Sequence, residues 1–281
     1  ASRLGWALQD VECVSLHGRD IDLIRPLLQP NRRLLVLTSD GVAPHAIAEL
    51  LNSLGCGASR LTVLEALGGE HERARSIKSY MFDLKNINPL NVLAIEVKSS
   101  PEAKIIPLSN GIADALFDTD GQLTKREIRA VTLSSLAPKR GELLWDVGAG
   151  SGSIGIEWML ADPSMHAIAI EADPTRAARI RSNARNCGVP GLKLIEGRAP
   201  DALSELPAPD AIFIGGGGSD EGVMAGCGEA LKAGGRLVAN AVTLEMEAVL
   251  LAHHGRLGGD LIRIGVSRAQ PVGTMQGWRA A

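Results

Sequence analysis

Apolar runs and amphipathic stretches alternate along the second half of this chain, and that alternation limits its fold more than any other feature. The runs are "ELLWDV" (142–147), "HAIAIE" (166–171), "LKLIE" (192–196), "DAIFIG" (210–215), "GRLVAN" (235–240) and "DLIRIGV" (260–266). Helical spacing predicts helices over 152–161, 174–187, near 200–205, 220–231 and 243–253 between them, after a first helix from Thr124 to Ala137 that stops before Pro138. Near-continuous apolar strands separated by amphipathic helices require a parallel sheet covered on both faces. The expected fold class is α/β, Rossmann-like, with a mostly parallel sheet.

The first half reads differently. "LLVLTS" (34–39) is one short apolar run, followed by helical spacing of Ile47, Leu50, Leu51 and Leu54 with Gly55 as its end. Further runs at Leu61–Leu64 and Val92–Val97 suggest a small sheet, while residues 68–89 between them are polar and mixed. Residues 98–122 carry Pro101, Pro107, Gly111 and Gly121 with no sustained period and read as a linker. Two domains are expected, 1–110 and 111–281.

Composition narrows the function classes. With 281 residues, 45% hydrophobic and 22% charged, the chain is ordinary globular material, and a net charge of −3 offers no global attraction to nucleic acid. The cysteines Cys13, Cys56, Cys187 and Cys227 form no C-x-x-C pair, so neither a zinc site nor a disulfide framework is expected, and no metal is invoked. No apolar run approaches the roughly 18 residues of a membrane span, and the start "ASRLGWALQD" lacks a signal-peptide pattern. The expectation is a soluble, cytoplasmic protein with no membrane or nucleic-acid partner.

Gly148, Gly150 and Gly152 sit where the first strong strand turns into a helix, in "LLWDVGAGSGSIGIEW" (143–158). Missing side chains let the backbone approach a ligand, and the helix start offers unpaired N–H groups. A dinucleotide fingerprint would place its third glycine at position 153, which is Ser153, and the Gly-Lys-Ser/Thr of a phosphate loop is absent. What remains is a turn suited to the carboxylate and ammonium of an amino-acid-like ligand, with Asp146 able to pair with the ammonium. Glu171 ends the second strand, where a carboxylate accepts hydrogen bonds from ribose hydroxyls. Glycine turn and acidic strand end together suit S-adenosyl-L-methionine. The bland alternatives are a tight turn without a ligand and a solvated strand-end carboxylate.

The end of the fourth strand, "FIGGGGSDEG" (213–222), has no Asp/Asn-Pro-Pro-aromatic signature for methylating base amines, and aromatics are only 3% of the chain, which disfavours base stacking. Cys227 falls inside a predicted helix and reads as a small buried residue rather than a nucleophile. Gly215, Gly216 and Gly217 place bare backbone where open sheets bind ligands, either as a mobile loop or as the wall of a wide cleft for a large substrate.

The motifs "DGQLTKREIRAVTLSSLAP", "LLWDVGAGSGSIGIEW", "AIEADPTRAARIRSNA", "FIGGGG" and "GGRLVANAVTLE", in this order, resemble the CbiT-type domain of the decarboxylating precorrin-6B methyltransferases of cobalamin biosynthesis, over about residues 107–281. Residues 2–98, with "SRLGWALQDVECVSLHGRD", "LLVLTSDGVAP" and "LNVLAIEV", more loosely resemble the latter half of the CbiE-type tetrapyrrole methylase that precedes it in fused enzymes. The resemblance implies a class I S-adenosylmethionine-dependent methyltransferase preceded by a partial tetrapyrrole-methylase domain whose first half lies outside this sequence. It also implies methylation of precorrin-6B at carbons 5 and 15, the CbiT-type domain taking carbon 15 and the loss of carbon dioxide from the carbon-12 acetate, to give precorrin-8. A homo-oligomer, a tetramer, is expected on the same ground.

By this resemblance Thr124, Gly148, Ala149, Gly150, Ser151, Gly152, Glu171 and Ala199 form the cofactor site. Thr124 also fits a helix cap, because "TKRE" has capping-box spacing to Glu127. The substrate's carboxylates call for cations, and Lys125, Arg126, Arg129 and Arg198 are the candidates beside the cleft, with Asn240 at the macrocycle edge. Arg176, Arg179, Arg181 and Arg185 read as the solvated face of their helix. No catalytic acid or base is assigned. Rival readings are a class I methyltransferase for another small molecule or RNA, and a cofactor-binding module without turnover.

Overall fold

The protein, represented by a computed structural model, is described over residues 1–280 and divides into two compact units, residues 1–108 with 186–190 and residues 109–185 with 191 onward. In the first unit the strands are β1 (Val11–Ser15), β2 (Arg33–Leu37), β3 (Arg60–Glu65), β4 (Arg73–Lys78) and β5 (Asn91–Glu96), with helix α1 (Ala43–Ser53) between β2 and β3. They form one mixed sheet in the order β1-β2-β5-β3-β4, in which only β1 and β2 run parallel. Leu34 and Val36 of β2 and Leu61 and Val63 of β3 are fully buried with Leu93 and Ile95 of β5. Ile47 and Leu51 of α1 pack into the same core, the face expected from their spacing. The helix starts where Asp40 Oδ1 accepts hydrogen bonds from the N–H groups of Val42 and Ala43, both at 2.8 Å.

Two strands of this sheet lack the apolar pattern that identifies strands in a sequence. β4, "RARSIK", lies at the sheet edge inside the polar stretch 68–89, and β1 lies at the opposite edge. An edge strand has one neighbour and one open side, so charged residues suit it. Arg73 and Arg75 of β4 converge on Glu65, buried at 1% exposure, with N–O distances of 2.7 and 2.9 Å. Asn88 N–H donates to the same carboxylate at 2.8 Å. Burial alone would raise the Glu65 carboxyl, but the hydrogen bonds from Arg73, Asn88 and Arg75 prevail and hold it at about 2.

The second unit is built on β6 (Leu143–Val147), β7 (His166–Glu171), β8 (Lys193–Glu196), β9 (Ala211–Ile214) and β10 (Arg236–Ala239). All neighbours are parallel, in the order β10-β9-β6-β7-β8. The connecting helices are α3 (Ser153–Leu160), α4 (Pro174–Asn186), α5 (Val223–Ala230) and α6 (Leu244–Leu257), with α2 (Arg126–Leu136) preceding β6. Residues 201–203 form only a single 3-10 turn where a helix near 200–205 was expected. Apolar side chains fill both faces, Trp145, Ile170, Ile212 and Ile214 on one and Leu144, Ile154, Trp158 and Phe213 on the other. Each fully buried side chain of this size contributes about 1.5–3 kcal/mol. From central β6 the chain winds to β8 on one side and then to β10 on the other, so it reverses between β6 and β9. Ligands bind open parallel sheets at the carboxyl ends of such strands.

Two sequence expectations are corrected here. Residues 260–266 form no strand; Leu261, Ile262 and Ile264 stay 47, 68 and 44% exposed. The chain instead folds back locally as the antiparallel pair β11 (Ser267–Val272) and β12 (Met275–Ala280) around a two-residue turn, with Gly273 at φ 60°. An apolar run becomes a strand only where a partner edge receives it. The first helix begins at Arg126 rather than Thr124, with Lys125 as an extended cap residue making no side-chain cap, and the Thr124 carbonyl accepts from the Arg129 guanidinium.

Candidate functional site

Val147 ends β6, and the chain turns through Gly148, Ala149, Gly150, Ser151 and Gly152 into α3. Gly148 has φ 66°, and a Cβ there would lie 2.5 Å from Gly216 O. The turn after β6 and the loop after β9 therefore meet backbone to backbone, which only glycine at 148 permits. Gly150 N–H donates to Glu171 Oε2 at 2.8 Å, and Asp173 N–H donates to Glu171 Oε1 at 2.9 Å. Glu171, 6% exposed at the end of β7, is thus oriented by two backbone donors and keeps lone pairs for a further partner.

Asp146, one residue before the end of β6, is 1% exposed. Its Oδ2 accepts the N–H of Gly155 in the first turn of α3 at 2.9 Å, a cap that the N-terminal residue Gly152 cannot supply. Its Oδ1 is buried without a hydrogen-bond partner. Burial pushes the carboxyl up to about 7 against the pull of the Gly155 N–H, and the charge of Glu171 adds to the rise. A buried acceptor with one unused oxygen is costly unless a ligand donor completes it. Together these groups suit a zwitterionic amino acid joined to a ribose: bare backbone at the turn for its carboxylate, Asp146 Oδ1 for its ammonium, and Glu171 for a diol.

The turn opens on a cleft of about 2060 Å³, larger than the ~300–1,000 Å³ of ordinary small-molecule pockets. Its walls are the segment 121–125, Ile128 and Thr132 of α2, the end of β10 with residues 240–243, and α6 with the segment that follows it. Thr124, Lys125, Gly148, Ala149, Gly150, Ser151, Gly215, Gly216 and Asn240 line it, so most of the expected site residues are brought to one cleft. Asn240 Nδ2 donates to Thr132 Oγ1 at 3.0 Å. Gly152 stands at the start of α3 with Ile180 packed against it, and Ala199 is half-buried against the core beside Leu203. Gly217 and Arg126 are exposed outside the cleft lining, and Arg198 points to solvent with Asp220 at 3.3 Å.

Arg129 requires a correction. Expected among the substrate-binding cations, it is fully buried. Its guanidinium donates to Glu157 Oε1, Thr124 O and Ile112 O, each at 2.5 Å, and to Asp114 Oδ1 at 3.1 Å. Four of its five N–H groups are spent on these partners, and Arg129 is not among the residues lining the cleft. Arg176, read as solvated, instead lines the cleft and donates to Asp120 and Gln122. The stretch 111–122, read as a linker, is a strap pinned along its length; Asn183, fully buried, accepts from Asp118 N–H and donates to Asp118 O and Ser151 O.

Sequence reasoning missed Gln122, His253, His254 and Arg256 as cleft residues. A signal existed for the two histidines, since Leu250, His253, His254 and Leu257 share one face of α6 at spacings of three and four. Cys227 is fully buried on α5, and burial pushes its thiol up to about 11, which removes it as a nucleophile. Among the described residues no cluster of His, Cys, Asp and Glu is arranged to hold a metal, and no helix is long and apolar enough to cross a membrane.

The parallel sheet with its glycine turn and acidic strand end defines the class I methyltransferase fold. Residues 115–281 match the model of the precorrin methyltransferase domain. Over all 281 residues the chain is 65% identical to a precorrin-6Y C(5,15)-methyltransferase [decarboxylating] from a Sinorhizobium species, covering 100% of this chain and 68% of that protein. A "Probable cobalt-precorrin-6B C(15)-methyltransferase (decarboxylating)" from Pyrobaculum calidifontis is 36% identical over 169 residues, 58% of this chain and 87% of the relative. The crystal structure of the C-terminal domain of precorrin-6Y C5,15-methyltransferase from Rhodobacter capsulatus superposes with a TM-score of 0.59 at 46% identity, covering 62% of this chain and 94% of that one. The chain belongs to the decarboxylating precorrin-6Y C5,15-methyltransferase family.

Proposed function

We propose that this chain is an S-adenosylmethionine-dependent C-methyltransferase of cobalamin biosynthesis, its second unit methylating precorrin-6B at carbon 15 and removing the carbon-12 acetate carboxyl as carbon dioxide. The observation that carries the reading is the glycine turn, flanked by Glu171 and the unsatisfied Asp146 and opening on a cleft roomy enough for a tetrapyrrole. Carbon 5 belongs to the activity of the whole enzyme. Residues 1–110 are read as the latter part of a CbiE-type domain, supported by the 65% identity that runs through both units.

When bound, S-adenosylmethionine supplies an electrophilic methyl group. The chain supplies placement. Gly148, Ala149, Gly150 and Ser151 present backbone to the amino-acid end, Asp146 Oδ1 accepts from its ammonium, and Glu171 accepts from the ribose hydroxyls. Thr124 covers the site from the strap, and Gly152 and Ala199 back it. Lys125 at the cleft mouth meets substrate carboxylates, with Gly215, Gly216 and Asn240 along the macrocycle edge. Holding a nucleophilic carbon in line with the methyl is worth about 7–11 kcal/mol of barrier, and a macrocycle filling the cleft displaces competing water.

We place the protein in the cytoplasm as a homotetramer. Self-association is supported by the apolar side chains Leu244, Met275 and Trp278, which are 80, 73 and 79% exposed and stand outside the cleft lining. Mass spectrometry of precorrin-6B incubated with the chain and S-adenosylmethionine tests the activity. The expected product gains one methyl and loses one carbon dioxide; a product with two methyls assigns activity to both units, and unchanged substrate refutes the reading.

A further inference from the structure

The strap over residues 111–124 contains only one turn of 3-10 helix, at Asp114–Leu116, yet it is gripped at several points. Its first half is anchored by burial, Ile112 being 2% and Phe117 5% exposed. Gly111 N–H and Ile112 N–H both donate to Glu157 of α3, at 2.7 and 3.2 Å. Its second half, from Thr119 to Thr124, buries no apolar side chain and depends on polar grips alone. Arg129 holds the Thr124 carbonyl at 2.5 Å, while Asp120 pairs with Arg176 at 2.8 Å and Arg179 at 3.4 Å. Arg176 also donates to Gln122 Oε1 at 2.7 Å. This half reaches the glycine turn: Gln122 O lies 3.8 Å from the position a Gly150 Cβ would occupy, and Asn183 joins Asp118 of the strap to Ser151 of the turn.

We propose that Arg129, locked by Glu157, and the outer clasp of Asp120 with Arg176 and Arg179 are positioning residues that hold the strap as a roof over the cofactor turn and set cofactor affinity, though Arg129 and Asp120 touch neither cofactor nor substrate. The inference rests on the cofactor reading given above. A guanidinium is needed at 129 because its donors lie in one plane and reach Glu157, Ile112 O and Thr124 O at once; an ammonium on a lysine stem cannot span them. The guanidinium is also covered by the Phe117 ring, 4.9 Å from its centroid, which ties the buried half of the strap to the polar half. Loss of the outer clasp frees Gln122 to Thr124 without opening the core, whereas loss of Arg129 also leaves the buried Glu157 carboxylate without its cation.

The test is calorimetric titration of S-adenosylhomocysteine into the 281-residue chain and its R129K and D120A variants, with the thermal midpoint of each ligand-free protein and hydrogen exchange over residues 118–124. D120A removes two surface pairs and the exposed hydrogen bond from Gln122 N–H to Asp120 Oδ1 at 3.1 Å, none of them in the core, so its midpoint is expected to stay close to the wild-type value while affinity falls about threefold to tenfold and exchange over 119–124 quickens. R129K is expected to lose at least tenfold and, in turnover, to raise the KM for the cofactor with little change in the KM for the tetrapyrrole. Wild-type affinity in D120A overturns the proposal even if R129K fails to fold. A fall in midpoint with affinity preserved makes the strap merely structural and also overturns it. No binding to the wild-type chain refutes the cofactor reading itself.

Discussion

Each unit of this protein buries a carboxylate at 1% exposure, Glu65 in the first and Asp146 in the second, and the two are treated in opposite ways. Glu65 meets two guanidinium groups and a backbone N–H, and these hold its carboxyl at about 2 in spite of burial. Asp146 meets one backbone N–H and leaves one oxygen unpaired, and burial drives it to about 7. Burial therefore does not tell a structural carboxylate from a site carboxylate; the completeness of its partners does. The first belongs to β3, where it neutralises the two arginines of the edge strand β4, and the second stands near a strand end where a ligand would complete the set.

The contrast is broken most forcefully at Glu65. Glu65→Ala leaves Arg73 and Arg75 without their acceptor and is expected to cost about 2–3 kcal/mol of stability, read as a fall in the urea midpoint of the transition that reports the first unit. S-adenosylhomocysteine affinity should be unchanged, and a loss of affinity would contradict the division of roles. Glu171→Ala is the counterpart: affinity falls by about 1.5–3 kcal/mol by calorimetry, together with a lower urea midpoint of the second unit from the lost Gly150 and Asp173 N–H bonds, and unchanged affinity sinks the ribose role.

The pH dependences should have opposite signs. The Asp146 carboxyl is raised in the folded state, so its contribution to stability is full below about 4 and is lost as pH rises through about 7. Asp146→Asn should flatten that decline, measured as the difference in urea midpoint of the second unit between pH 5 and pH 8. Glu65 is lowered, so its contribution holds above about 4.5 and is lost as pH falls through about 2. An ammonium beside Asp146 favours its charged form, so cofactor affinity in the wild-type chain should rise through pH 7 and Asp146→Asn should remove the rise.

The smallest effects belong to the surface cations. Lys125→Glu is expected to raise the substrate KM several-fold and leave the cofactor KM unchanged, because Lys125 lines the cleft. Arg198→Ala should change both less than twofold, since Arg198 points to solvent beside Asp220. Equal effects of the two variants in steady-state kinetics would show that position in the cleft does not decide which cation binds substrate.

How much of this was legible follows from the range of the interactions. β6, β7 and β9 were readable because a strand buried on both faces must be apolar along its length, the half-buried edge strand β10 from its short apolar run, and α3 and α4 because their spacing is local. The glycine turn was readable because positive φ and backbone contact at Gly148 leave only glycine. The polar edge strand β4 and the strap had no such signature, and the exposed segment 260–266 carried the apolar signature of a strand without becoming one. β4 is a strand because β3 receives it, and residues 260–266 are not one because no strand does.

Arg129 shows the same limit at the level of one residue. In sequence it stands beside Lys125 and Arg126 as one of three cations at a helix start, and nothing local separates them. Its helix turns it inward against Glu157, 28 positions later, and against carbonyls on the strap, while Lys125 faces the cleft and Arg126 the solvent. The sequence by itself determined the parallel sheet, the glycine turn and the acidic strand end, since backbone conformation and one-dimensional apolar period encode them. Only the tertiary structure decided which charges are spent inside the protein and which remain for a ligand, because the partners that neutralise a buried charge come from distant parts of the chain.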